Sequence, residues 1–187
     1  MGDRFHVHPT PLAGLSVLEK IPRGDSRGYL ERMFCDEELG AAGWVGEIKQ
    51  INHTFTKKRG TLRGLHYQLP PHSEIKLVSC LRGEIWDVVV DLRRHSSTFL
   101  KWHAEVLSAE NHRSMLVPEG FAHGFQTLTD DVDMLYFHST PYAQLAETGV
   151  LANDPALGIA WPLPVTDISP RDQGYSLITE NFRGVSL

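Results

Sequence analysis

Ten short runs of strand-forming residues, each closed by a turn signal, constrain this chain more than any other feature. They fall at 15–21, 29–34, 47–56, 61–68, 75–81, 84–92, 102–107, 113–117, 122–128 and 133–138. Short strands at this spacing, with no long helical period between them, predict an all-β sandwich or barrel. Two brief helical turns interrupt the pattern. The first follows Asp36, which stands as the N-cap ahead of Glu37 and Glu38, with Gly43 as the stop. The second begins at Ser169-Pro170-Arg171-Asp172, where Ser169 can cap and Pro170 suits the first helical position. Beyond Asn153 the chain is Pro-rich and irregular and is expected to wrap over the strands. A chain of 187 residues then reads as one domain spanning 1–187.

The formal net charge of −5 supplies no basic field for nucleic acid or an anionic membrane surface, so neither is an expected partner. Any anionic ligand must be held by local basic residues. Cys35 and Cys80 have no metal-type spacing and read as reduced thiols of a cytoplasmic protein. No apolar run is long enough to span a bilayer.

A two-residue turn at Arg82-Gly83 predicts a hairpin that pairs Leu81 with Glu84, Val78 with Asp87 and Lys76 with Val89. Alternation puts Trp86, Val88, Val90 and Leu92 on one apolar face. Lys76, Val78, Cys80, Ile85, Asp87, Val89 and Asp91 share the other. A mixed face of this kind suits a ligand-binding lumen, or else a solvated surface carrying a weak Lys76–Asp87 pair.

Two glycine-punctuated runs carry the residues most able to do chemistry: Arg59-Gly60-Thr61-Leu62-Arg63-Gly64-Leu65-His66-Tyr67-Gln68 and Pro118-Glu119-Gly120-Phe121-Ala122-His123-Gly124-Phe125. A strand histidine is most often a hydrogen-bonded structural residue. His66 has company in Arg63, whose fork geometry suits phosphate. Strict alternation turns Arg63 away from His66, so bringing them together requires a twist or bulge at Gly64. Pro118-x-Gly120-x-x-His123 resembles the second metal motif of cupins. The first motif is broken, because His66-Tyr67-Gln68 lacks a second imidazole and cationic Lys76 stands nearby. A divalent metal needs several deprotonated ligands, and none is expected.

Over nearly its whole length the chain resembles the dTDP-4-dehydrorhamnose 3,5-epimerase family of deoxysugar-nucleotide enzymes. The resemblance rests on Asp25-Ser26-Arg27-Gly28, Gln50-Ile51-Asn52-His53, the two glycine-punctuated runs, Lys76-Leu77-Val78, Gly83-Glu84-Ile85-Trp86-Asp87-Val88, Asn153-Asp154-Pro155 and Gly158-Ile159-Ala160-Trp161-Pro162. It implies a cupin-type double-stranded β-helix, a homodimer, a dTDP-linked sugar substrate and no cofactor. It also assigns roles. His66 is the base, Asp172 its carboxylate partner, Tyr136 the acid across the sugar ring and Lys76 the group that stabilises the enolate oxygen. His123 and Asp87 support the site. Arg63, and Arg27 from a neighbouring subunit, bind pyrophosphate. Gln50, Asn52, Gln68 and Tyr142 line the sugar and nucleotide channel.

These residue types suit the chemistry. A ketone at carbon 4 acidifies the hydrogens on carbons 3 and 5, and a nearby cation stabilises the enolate. Inversion needs a base on one face and an acid on the other, roles open to a histidine near ~6.5 and a tyrosine near ~10. Three positions depart from the family pattern: Phe137 where a Lys is usual, Pro141-Tyr142 in place of an aromatic pair, and Arg32 where Glu is usual. They place the choice of sugar at these flanking positions. The alternatives are a mono-epimerase, a 3,4-ketoisomerase on a related sugar nucleotide, and a cupin that binds a nucleotide sugar without turnover.

Overall fold

The computed structural model describes residues 4–187. Thirteen strands occur among them: β1 (Phe5–Pro9), β2 (Ser16–Lys20), β3 (Arg23–Asp25), β4 (Gly28–Leu30), β5 (Gln50–Thr56), β6 (Leu62–Gln68), β7 (Lys76–Arg82), β8 (Glu84–Asp91), β9 (Trp102–Ser108), β10 (Arg113–Val117), β11 (Phe121–Thr127), β12 (Val132–His138) and β13 (Glu147–Gly149). Two short helices, α1 (Asp36–Gly40) and α2 (Pro170–Gln173), complete the set. The strands form a six-stranded sheet in the order β1-β2-β10-β7-β12-β5 and a five-stranded sheet in the order β13-β6-β11-β8-β9, with β3-β4 as a separate hairpin. Every pairing between these strands is antiparallel. The fold is an all-β cupin type.

The expected β7–β8 hairpin does not form. β7 pairs with β10 and β12, while β8 pairs with β11 and β9 in the opposite sheet. The Arg82-Gly83 turn is a corner at which the chain changes sheets. Gly83 takes φ +75° there, against Thr129 and Val132. The side-chain faces survive this correction, because alternation belongs to each strand separately. Val78, Cys80, Ile85 and Val89 meet between the two sheets with Phe121, Phe125 and Met134. Val88, Val90 and Leu92 face outward beneath Val150, Leu157, Trp161 and Phe182 from the irregular C-terminal segment.

The outer face of the six-stranded sheet is closed by α1 and the loop after it, where Leu39 and Trp44 pack on Leu18, Leu77 and Leu116. The N-cap of α1 is Cys35, with no side-chain bond, rather than Asp36. Asp36 occupies the first helical position and accepts the Glu37 N–H. In α2, Ser169 is the N-cap and accepts the Asp172 N–H. That bond fixes where the Asp172 side chain starts.

Candidate active site

The sheets are packed with apolar residues at one end and leave a polar cavity of about 290 Å³ at the other. This lies near the lower end of the range that holds a small ligand. Arg63, His66 and Gln68 reach it from β6, Lys76 from β7, His123 from β11, Tyr136 and His138 from β12, and Gln50 and Asn52 from β5. Glu74 and Tyr142 line it from connecting segments, Glu147 from the short β13 and Arg171 from α2.

Arg63 and His66 share the cavity because β6 is bulged between them. His66 pairs with His123 and Arg63 with Phe125, so β6 spends one residue more than β11 over the same interval. Gly64 sits in the bulge at φ +116°, and a Cβ there would lie 2.5 Å from Gly124 Cα and 2.7 Å from the His123 carbonyl oxygen. Only glycine fits this conformation at this approach. The extra residue restores Arg63 to the face that alternation had denied it.

Asp172 reaches His66 from α2. Its Oδ1 lies 2.8 Å from His66 Nε2, and its Oδ2 accepts the Gly64 N–H at 3.2 Å. The carboxylate is thus tied to the bulge and the imidazole at once. Burial opposes its ionisation, but the His66 hydrogen bond and charge, the Gly64 N–H and Ser169 outweigh that and hold its pKa down at about 2. Arg171 approaches the same imidazole nitrogen, with Nη2 3.1 Å from His66 Nε2, while its Nη1 pairs with Glu147 at 2.8 Å. Guanidinium only donates, so Nε2 can serve Arg171 or donate to Asp172, but not both. With Nε2–H donating to Asp172, Nδ1 carries the free lone pair of a base.

Across the cavity, Tyr136 is half-buried against the core cluster, edge-on to His123 at 6.1 Å between ring centroids, and near-parallel to the His138 ring at 6.2 Å. Burial, with the charge of Asp87 behind it, pushes the phenol pKa up, so the hydroxyl stays protonated. Lys76 is buried and its ammonium meets Glu74 at 3.0 Å. Glu74 also bonds His138, at 2.7 Å. Burial works against the Glu74 charge, but Lys76 and His138 together lower its pKa. His123 bonds Asp87 at 2.7 Å; burial raises the Asp87 pKa, with His123 opposing. Arg63 donates to Thr56 at 3.2 Å. Gln68 accepts the Ala143 N–H, and Tyr142 bonds Glu147 at the mouth. No three His, Cys, Asp or Glu side chains converge on a metal position among the described residues.

Of the sequence-predicted residues, Arg27 alone lies away from this cavity and from the groups that line it. It is 88% exposed on the β3–β4 hairpin and paired with Asp25. Two of the positions expected to govern sugar choice are also elsewhere. Phe137 points outward and stacks on Phe34 at 5.7 Å in the cluster beneath α1, and Arg32 pairs with Glu38. On β12 the residues that alternate into the cavity are Tyr136 and His138. Sequence reasoning missed Glu74, His138, Glu147 and Arg171 as site residues. Glu74 lies two residues before Lys76 and His138 two after Tyr136, a period-2 signal that places each beside a residue already singled out.

Three imidazole–carboxylate pairs, a buried ammonium and a half-buried phenol gather around one cavity. That set can remove a proton from carbon, stabilise the oxyanion and return the proton from another direction. Fold and site together define a cupin-type isomerase. A family model for dTDP-4-dehydrorhamnose 3,5-epimerase matches residues 9–180. A dTDP-4-dehydrorhamnose 3,5-epimerase of Shigella flexneri is 40% identical over 169 residues, covering 90% of this chain and 93% of its own. The Bacillus anthracis enzyme of that name, solved with TDP and PPi bound, is 37% identical with a TM-score of 0.89, over 93% of this chain and 99% of its own. A Legionella pneumophila dTDP-6-deoxy-D-glucose-3,5-epimerase, solved with dTDP-4-keto-L-rhamnose, is 36% identical with a TM-score of 0.88, over 92% of each chain. The chain belongs to the dTDP-4-dehydrorhamnose 3,5-epimerase family.

Proposed function

We propose that the protein epimerises dTDP-4-keto-6-deoxyglucose at carbons 3 and 5 to dTDP-4-dehydrorhamnose, with His66 as base and Tyr136 as acid. The observation that carries this reading is the opposition of the two groups. His66, oriented by Asp172, projects from the five-stranded sheet, while Tyr136 projects from the six-stranded sheet across one cavity. The base accepts the proton at Nδ1, and Asp172 stabilises the imidazolium through Nε2. Lys76 faces the oxygen that becomes negative, and Tyr136 delivers a proton to the opposite ring face. His123 and Asp87 form the floor. Arg63 binds the pyrophosphate, and Gln50, Asn52, Gln68 and Tyr142 contact the sugar and base.

A homodimer belongs to the same proposal. Arg27 is free of its own cavity, and Tyr29 and Leu30 on the same hairpin are 65% and 62% exposed. These features suit a hairpin that carries Arg27 to the pyrophosphate in a second copy. No helix among the described residues is long and apolar enough to cross a membrane, and the free thiols of Cys35 and Cys80 suit the cytoplasm. The test is product configuration. Incubation with dTDP-4-keto-6-deoxyglucose, followed by NMR of the sugar ring, should give inversion at both carbons. Inversion at carbon 3 alone would identify a mono-epimerase, and an unchanged sugar bound to folded protein would refute catalysis.

A further inference from the structure

A chain of hydrogen bonds crosses the cavity wall on the six-stranded sheet. The Tyr142 N–H donates to Gln50 Oε1 at 2.9 Å, and Gln50 Nε2 donates to Asn52 Oδ1 at 3.1 Å. Asn52 Nδ2 reaches His138 Nε2 at 3.4 Å, the longest link. His138 Nδ1 lies 2.7 Å from Glu74 Oε2, and Glu74 Oε1 takes the Lys76 ammonium at 3.0 Å. Register sets this row: Gln50 and Lys76 are the partners of His138 on the two neighbouring strands.

Both ends of the chain have fixed polarity. A backbone N–H can only donate, and an ionised carboxylate can only accept. From the Tyr142 end, Gln50 must present its oxygen and so turns its NH₂ to Asn52. Asn52 must then turn its NH₂ to His138, which has to accept at Nε2 and carry its proton on Nδ1. The Glu74 end demands the same arrangement. Amide orientations and an imidazole tautomer, which heavy-atom positions do not by themselves reveal, follow from these two termini.

We propose that Glu74 and His138 are positioning residues for the epimerisation. Together they lock the donor and acceptor faces that Gln50 and Asn52 turn to the sugar nucleotide, and they hold the Lys76 ammonium in place. A proton on His138 Nε2 would set donor against donor at Asn52. Inverting Asn52 and then Gln50 only carries the conflict to the Tyr142 N–H, so one link must break. The charged groups bonded into the chain are Glu74 and Lys76; Asn52 from β5 and the Tyr136 ring, stacked at 6.2 Å, are neutral. The aromatic contact makes the oriented His138 ring a wall for the proposed acid as well.

This inference rests on the epimerase reading, but its first test does not. Nitrogen-15 NMR of the histidine side chains should show His138 protonated on Nδ1 and bare on Nε2, with the resonance assigned by its loss in His138→Phe. An Nε2-protonated His138 overturns the proposal. The second test is kinetic. His138→Phe keeps a ring against Tyr136 and deletes both bonds, so KM should rise about tenfold, the worth of one hydrogen bond that a misoriented Asn52 or Gln50 no longer makes to the sugar nucleotide, with kcat within about threefold. KM and kcat both within about twofold of wild type would overturn the proposal. Glu74→Gln provides a second variant. It should raise KM similarly and also lower kcat as Lys76 is released, whereas unchanged values again refute the role. A wild-type protein that binds but does not turn over the sugar nucleotide would sink the epimerase reading and leave the tautomer result standing separately.

Discussion

Replacing Asp172 with Asn tests the base and its support together. The substitution keeps the shape and the residue-172 N–H bond to Ser169, removes the charge and turns one acceptor oxygen into an NH₂ donor. Asp172 is held at about 2 against 3.8 for an unperturbed carboxyl. Its folded pKa is depressed, so its contribution is fully present above the unfolded value and is lost as pH falls through the folded one. Just under two pKa steps correspond to about 2 kcal/mol of stability at neutral pH. For a chain of this size that is a Tm lower by roughly 4–8 °C in the variant. The gap should hold from pH 7 to about 5, narrow below about 4 and nearly close near 2, as the wild-type carboxylate titrates. Activity should fall much further. An amide NH₂ toward His66 favours the tautomer whose lone pair is on Nε2, leaving Nδ1 protonated and useless as a base; loss of the carboxylate from a comparable histidine pair costs about 10⁴ in kcat. Calorimetry across pH and steady-state epimerisation are the assays. A variant within about tenfold of wild-type kcat, or a Tm gap that does not shrink with acid, would refute the reasoning.

Further perturbations separate the remaining roles. Lys76→Met should lower kcat by about 10²–10³, because the oxyanion loses its cation, and steady-state rates measure it. Gly64→Ala should cost roughly 3 kcal/mol or more, since its Cβ would meet Gly124 Cα at 2.5 Å; thermal denaturation checks this. Phe137→Ala should cost about 3–5 kcal/mol through the cavity left beside Phe34. It should leave KM near wild type, whereas a marked KM change would restore Phe137 as a specificity residue.

Alternation along single strands was legible in the sequence, and pairing between strands was not. The faces of 84–92 were readable because period 2 is local, whereas the partner of β7 depends on a corner at Gly83 that a tight hairpin turn resembles. The bulge at Gly64 could be anticipated, since Arg63 and His66 cannot otherwise share a cavity. Asp172 lies 106 residues from His66, and no local period links them, so only the family resemblance singled it out. Phe137 drew attention as a departure, yet its side chain belongs to the packing beneath α1. His138, the next residue, faces the cavity because it alternates with Tyr136 along β12. The strands β1, β3 and β13 went unread because each is short and carries no strong pattern of its own, β1 and β13 gaining their hydrogen bonds at sheet edges.

The central claim is that one group takes the proton and another returns it from the opposite face. Deuterium incorporation from heavy water into dTDP-4-keto-6-deoxyglucose, followed by NMR in wild type, His66→Ala and Tyr136→Phe, tests it most directly. Wild type should exchange at carbons 3 and 5, and His66→Ala should abolish exchange at both. Tyr136→Phe should keep much of the exchange while losing epimer formation. Equal loss of exchange and epimerisation in Tyr136→Phe, or exchange that survives in His66→Ala, would contradict the two-sided site.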